Sequence, residues 1–311
     1  MPGSPDFLLR KGLKLSHLRI LAAFADTGQI NLAAEKIGIS QPAASRLLAE
    51  IEQIVQAPVH SRTGRGVALT PIGRALADRA QRINIELRDA ARDLAEIASG
   101  GAGHVRIGSV TGPALDRVLP ALRISRMAQP LITVEVIVAP SNLLQDHVLS
   151  GRVDFAIGRP APGVDPHLLQ SQTIAEEPVA LIVRRGHPLM HRRSLTAQDL
   201  MEFDWVMPEP DVPITRTVLA RLQALGLPPP HQRLSTASFL LTLALLQQTN
   251  AIAPLALAVA DAFASSPDAP YAKLPLDLGI EVEPFGLMTR AGMVLPPAAR
   301  YLADTILSVS V

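Results

Sequence analysis

The stretch Ser40-Gln-Pro-Ala-Ala-Ser-Arg-Leu-Leu-Ala-Glu-Ile-Glu-Gln-Ile54 opens on a capping residue and then presents two unlike faces. Ser40 is a good N-cap, and Pro42 costs little in a first turn whose N–H groups have no partner inside the helix. A helix from Gln41 to Ile54 is therefore predicted. Ala43, Leu47, Ile51 and Ile54 recur at steps of 4, 4 and 3 and make an apolar face, with Gln41, Pro42, Ser45 and Ala49 roughly opposite. The outer face is small and polar. Such a helix fits the major groove of DNA, where Gln41 or Ser45 can hydrogen-bond base edges and Arg46, on the flank, can reach a phosphate. A small solvent-exposed helix is the plainer reading of the same residues.

The surroundings favour the groove. Upstream, Leu15, Leu18, Leu21 and Phe24 form a helical stripe that Gly28 stops, and a second short helix over 31–37 can be capped by Asn31 and ends at Gly38. Its Ala33 and Ala34 let another helix cross closely. Downstream, residues 61–70 read as a tight hairpin whose tip carries Arg62 and Arg65 and no acidic group, as a wing against a DNA backbone would. A solvated turn is the alternative.

The set Leu18-Arg19, Phe24, Gly28, Ala33-Ala34, Ser40 to Arg46, Glu52, Arg62 to Gly66 and Leu69 to Gly73 resembles the N-terminal signature of LysR-type transcription regulators. The resemblance implies a winged helix-turn-helix in which Ser40, Gln41, Pro42, Ala44, Ser45 and Arg46 belong to the DNA-binding recognition helix and Arg62 and Arg65 to the wing. At the wing base the family usually places an aromatic residue and often a glutamate; here His60 and Ser61 stand there.

Thr70 caps the next helix and Pro71 suits its first position. Leu76, Ala80, Ile83, Leu87, Ala90, Leu94 and Ile97 then alternate steps of 4 and 3, a two-helix seam. A helix of 28 residues spans about 42 Å at 1.5 Å per residue, enough to separate two heads reading half-sites about 34–36 Å apart. Packing within its own chain is the competing reading; the resemblance implies a homodimer that pairs into a tetramer.

After Gly100-Gly-Ala-Gly103, a linker, strand and helix signals alternate. Strands are expected over 104–108, 132–138, 153–157, 179–184, 205–207, 251–253 and 285–289, in largely parallel α/β sheets covered on both faces. This half is similar to the family's regulatory domain, which implies two Rossmann-like subdomains related to periplasmic binding proteins. The expected division is a DNA-binding domain at 12–70, a linker helix at 71–100 and an effector domain at 104–311. Subdomain 1 comprises 104–173 and 284–311, subdomain 2 comprises 174–283, and the crossing strands lie near 173–178 and 280–284. Ligands of open α/β sheets sit beyond the carboxyl ends of strands. That rule selects Ser109, Val110, Thr111, Gly112, Ser141, Asn142 and Arg159 from one subdomain and Glu209, Thr215 and Ser238 from the other. Each can equally be a cap or turn former, and Arg159 can pair with an effector carboxylate or with a protein acid.

Composition sets the outer limits. Of 311 residues, 48% are hydrophobic and 18% charged, which fits two or three domains of roughly 100–200 residues and excludes wholesale disorder. There is no cysteine, so disulfides, thiolate metal sites and cysteine nucleophiles are excluded. Net charge is +1, but residues 1–70 hold 8 basic against 5 acidic side chains and residues 71–311 hold 21 against 23. The basic excess lies at the front. The first residues lack the features of a secretory signal. The most apolar stretch, 239–264, is broken by Gln247, Gln248, Asn250, Pro254 and Asp261, so it reads as buried helix, strand and helix.

A cytoplasmic regulator follows, with promoter DNA, a small-molecule effector and RNA polymerase as partners and no membrane. No cofactor and no metal site are expected, since His187 and His191 are four apart but Pro188 breaks the helical pairing. No G-x-S-x-G, H-E-x-x-H or G-x-x-x-x-G-K is found. A small-molecule-binding protein, or an enzyme with an accessory DNA-binding head, are the rival readings. For the effector, the resemblance implies a carboxylated aromatic or a sugar-derived metabolite.

Overall fold

The computed structural model describes residues 6–63, 66–98, 103–231 and 234–309, without the side chains of 62, 63 and 66. The chain divides into two units, Met1–Gly100 and Gly101–Val311.

The first unit opens with a single turn, α1 (Phe7–Arg10), followed by α2 (Leu15–Thr27), α3 (Ile30–Ile37) and α4 (Gln41–Val55). Both α2 and α3 stop at glycines, Gly28 and Gly38, whose φ values of 67° and 75° are left-handed and carry no Cβ penalty. Ile20, Leu21, Phe24, Ala33, Ala34, Leu48 and Ile51 close the core between them.

Two local expectations shift. Helix α3 starts at Ile30, one residue early, and Asn31 is exposed in its first turn; Gln29, not Asn31, holds the cap position. The buried face of α4 consists of Ala44, Leu48, Ile51 and Ile54, while Ala43 and Leu47 are half-buried. Paired apolar residues at 43–44 and 47–48 offer two adjoining rows, and the crossing of α2 and α3 selects the second.

A hairpin follows, β1 (His60–Thr63) antiparallel to β2 (Gly66–Leu69). Thr70 joins it to α5 (Pro71–Ala98). The Thr70 N–H donates to the Val59 carbonyl at 3.0 Å, and Thr70 Oγ1 accepts the Gly73 N–H at 3.1 Å, as an N-cap should. Helix and hairpin meet so closely that a Cβ on Gly73 would lie 1.9 Å from the Val59 carbonyl oxygen.

In the second unit β3 (His104–Ser109) leads to α6 (Thr111–Pro113), a π-helical turn (Ala114–Val118) and α7 (Leu119–Ala128). Then come β4 (Thr133–Val138), α8 (Ser141–Leu149), β5 (Phe155–Gly158) and the long β6 (Leu169–Arg184). The chain continues through β7 (Val206–Met207), α9 (Pro213–Ala224), β8 (Leu234–Ser235), α10 (Phe239–Gln248), β9 (Ala253–Ala256) and α11 (Leu257–Ala264). It returns by β10 (Tyr271–Lys273) and β11 (Glu281–Arg290) and ends on α12 (Pro297–Ser308).

Among the described residues of this unit, β4, β3 and β5, the short pair β7 and β8 and a single bridge from Trp205 to Ile252 are parallel; β11 is antiparallel to β5 and β6, and β6 is antiparallel to β9 and β10. The largely parallel reading is therefore corrected: alternation of strands and helices hides a strand that leaves one lobe and another that returns.

Two lobes result. In the first, Val105, Ile107, Phe155, Ile157, Phe285, Leu302 and Ile306 form the core. In the second, Leu181, Val183, Trp205, Met207, Val218 and Ile252 do so. Residues 239–264 form helix, strand and helix, and among the described residues no helix is long and apolar enough to cross a membrane.

The contact at Gly73 yields an expectation. Gly73→Ala must displace backbone, not a flexible side-chain end, and should destabilise the first unit by about 1–3 kcal/mol. A urea midpoint equal to wild type, read by helical circular dichroism, would contradict this packing.

Candidate nucleic-acid interface and effector cleft

Helix α4 presents Ser40, Gln41, Pro42, Ser45 and Arg46 to solvent. Its cap comes from the backbone, Ser40 C=O accepting from Ala44 N–H at 3.0 Å, and the Ser40 side chain makes no capping bond. Ala44 is different. At 0% exposure it belongs to the core, so it acts behind the outer face, where its small size lets α4 approach its neighbours.

Both flanks of α4 are tied down. The Lys14 N–H donates to His17 Nδ1 at 3.0 Å, which leaves the proton on Nε2 to be donated to Glu50 Oε2 at 2.9 Å. The bond from His17 holds the Glu50 carboxyl below its ordinary range. Further along, Glu52 Oε1 accepts from Val59 N–H at 2.9 Å and lies 3.1 Å from His60 Nδ1. The His60 ring stands edge-on to Phe24 at 6.3 Å, so the unusual residue at the wing base takes an aromatic packing role, while its buried Nδ1 makes no hydrogen bond among the described residues. Ser61 is exposed. Arg62 lies in β1 opposite Val67, but its side chain, and Arg65 entirely, lie outside the described residues.

Along α5, Leu76 packs on the core of the first unit and Ala80 is buried with Leu18 and Ala22. These two seam positions serve their own chain. Ile83, Leu87, Leu94 and Ile97 remain 40%, 48%, 69% and 72% exposed, with Ala90 exposed between them.

In the second unit the sequence-selected residues separate into two groups. Ser109 is fully buried and its hydroxyl donates to the Val110 carbonyl at 2.9 Å; Val110 N–H in turn donates to Ile157 C=O at 3.0 Å. Thr215, also fully buried, donates to Pro208 C=O, and Ser238 Oγ caps α10 by accepting from Leu241 N–H at 3.3 Å. These are local structural roles. Glu209 and Asn142 are exposed. His187 is buried too, its ring held by Leu189 N–H and Asn250 C=O, and burial lowers its pKa, so it stays neutral.

The other group converges where the lobes meet. Arg159 Nη2 donates to Glu177 Oε2 at 2.7 Å, Arg159 N–H donates to Ser141 Oγ at 3.1 Å, and Gly112, beside Thr111, lies directly under Glu177. Asp116, in the π-helical turn, has its carboxyl pKa raised, chiefly by burial and further by the charge of Glu177 against the opposing pull of Arg117. Its Oδ1 is buried and has no hydrogen-bond partner among the described residues. Glu177 and Asp116 were not selected from the sequence.

Residues 15–74 match the family model for bacterial regulatory helix-turn-helix proteins of the lysR family, and residues 98–310 match the LysR substrate binding domain. The chain belongs to the LysR family of transcription regulators. It is similar to the HTH-type transcriptional regulator GbpR of Rhizobium radiobacter, 44% identical over 78% of this chain and 81% of that one. GbpR of Azospirillum brasilense is 32% identical over 95% and 86%. Among solved structures, full-length CbnR in complex with its target DNA aligns over 96% of this chain and 100% of that one, with a TM-score of 0.63 at 20% identity. Full-length OxyR C199D from Pseudomonas aeruginosa covers 96% of both chains with a TM-score of 0.65 at 21% identity. At such identities the structural likeness speaks for the fold. LysR-type proteins are regulators, not enzymes, and this one combines a DNA-binding head with an effector-binding domain.

The hydrogen bond from His17 to Glu50 sets a pH dependence. A carboxyl whose folded-state pKa is depressed contributes stability in full above its ordinary value of 4.5 and loses it as pH falls through the lowered value. Glu50→Gln should therefore be less stable than wild type at pH 7 and converge with it in acid. Chemical denaturation across that range checks the sign, and a gap that persists at low pH would contradict it.

Proposed function

We propose that this LysR-type regulator reads promoter DNA through Ser40, Gln41, Pro42, Ser45 and Arg46 of α4, with Arg62 and Arg65 of the wing on the backbone. One observation carries this reading: the outer face of α4 is small and exposed, and among the described residues no side-chain hydrogen bond engages Gln41 or Ser45, while Arg46 feels the charge of Glu50 one turn further along. Side chains with no internal partner lose none when they meet base edges and phosphates. The free stripe Ile83, Leu87, Ala90, Leu94 and Ile97 supports a homodimer through α5, with a homotetramer as the assembled form. A promoter-bound regulator works in the cytoplasm, beside RNA polymerase.

The effector cleft lies around Thr111, Gly112, Asp116 and Glu177. Its chemistry favours a hydroxyl-rich metabolite over a carboxylated aromatic one. Arg159 already holds Glu177, so a ligand carboxylate has to displace that partner, whereas the buried Asp116 Oδ1, which has no hydrogen-bond partner among the described residues, becomes an acceptor for a ligand hydroxyl once the lobes part. Ligand binding that changes the angle between lobes then alters how paired heads grip DNA.

Arg46→Ala should weaken binding to all sequences and lower the salt slope by about 1, while Ser45→Phe should abolish specific binding; retardation assays across a salt series read both. Unaltered affinity in both would remove the interface. Leu87→Asp with Leu94→Asp should yield monomers by light scattering. In thermal-shift assays on the full chain, a neutral polyol that binds the cleft should stabilise by about 2.7 kcal/mol at about 100 times its Kd. Stabilisation by aromatic carboxylates alone would reverse the ligand choice.

A further inference from the structure

We propose that Arg159, Glu177 and Gly112 form a bolt across the waist of the effector domain, and that its engagement sets the resting angle of the two lobes. This rests on the reading of the second unit as a sensor that works by changing that angle.

Strands β6 and β11 pair regularly on either side of the waist. Between Glu177 and Thr173 on one and Val282 and Gly286 on the other, however, the register shifts twice, and Pro284 has no N–H to contribute. Ladder bonding is interrupted there. Arg159, at the end of β5, crosses the interruption: Nη2 reaches Glu177 on β6, and Nε donates to the Glu283 carbonyl on β11 at 2.6 Å. One guanidinium thus joins both crossing strands to the first lobe. The two charged side chains are 12% and 13% exposed, so the charge-assisted bond is screened less than a surface pair.

The bolt is gripped from the opposite side as well. A Cβ on Gly112 would lie 2.2 Å from Glu177 Oε1 and 3.1 Å from the Cβ of Ala256, the residue that caps α11 of the second lobe. Helix α6 of one lobe, the ion pair and the start of α11 therefore meet with no room for a methyl group. Rotation of either lobe about the crossing strands has to loosen the Arg159 bonds or open this contact. The effector acts against that resistance.

The test uses full-length protein on a genomic fragment that the wild type itself selects, with Glu177→Gln, Arg159→Ala and Gly112→Ala. Hydrogen exchange over residues 173–178 and 281–286 should accelerate by about tenfold in each, and the effector-free DNA bend angle should move in the same direction in all three. Gly112→Ala keeps both charged groups and so answers the question even where Arg159→Ala does not fold. Combining Arg159→Ala with Glu177→Gln should add little to either alone, as for partners in one interaction. Wild-type exchange and wild-type bending in folded Glu177→Gln and Gly112→Ala overturn the bolt. Faster exchange with an unchanged bend also overturns it, since the pair is then only a brace. Wild-type protein that selects no DNA would instead remove the underlying reading of the chain as a regulator.

Discussion

Strand β6 has to satisfy two lobes with one continuous backbone. Its first part, from Leu169 to Pro178, pairs with β11; from Val179 onward it pairs with β9 and β10 and sends Leu181 and Val183 into the second core. Neither lobe can complete its sheet without it. The two cores are therefore joined by a shared structural element and not by a loose tether, and the charged contacts at the waist gather around the place where the strand changes partners.

A similar economy operates in the DNA-binding head. Ala44, Leu48, Ile51 and Ile54 anchor α4 to the core, but burial alone leaves a helix free to roll by a fraction of a turn. The directional bonds limit that freedom. Glu50 ties one flank to His17 of α2, and Glu52 ties the other to the backbone before β1. Helix α4 and the hairpin are thus held in a fixed relation by two carboxylates on the helix flanks.

The head was largely legible in the sequence because its signals are local: helix stops at Gly28 and Gly38, the Thr70 cap, and apolar periodicity. Where two apolar rows lie side by side, as in Ala43-Ala44 and Leu47-Leu48, periodicity cannot choose between them, and tertiary contact does. The linker stripe was visible as a repeat, yet its division between Ala80, buried at home, and Leu94, left exposed, depends on where α2 ends. The effector site was the least legible. Ser109, Thr215 and Ser238 sit at strand or helix ends as the general rule requires, but each hydroxyl or its backbone is spent locally. Glu177 lies in the stretch expected as a crossing strand, but its partner Arg159 is 18 residues away in sequence, so only the folded chain brings them together.

The prolines of the waist have a mechanical consequence. Pro178 faces Glu281 in the ladder and Pro284 sits in the irregular stretch; lacking N–H groups, they remove rungs where the two strands pass between lobes. Rungs remain on both sides, including Val179 N–H to Ile280 C=O at 2.9 Å. Such a ribbon cannot slide by one residue without breaking every flanking rung, but it yields to torsion. The crossing is therefore a ribbon whose register is fixed from both ends, with its weakest point at the interrupted stretch between them.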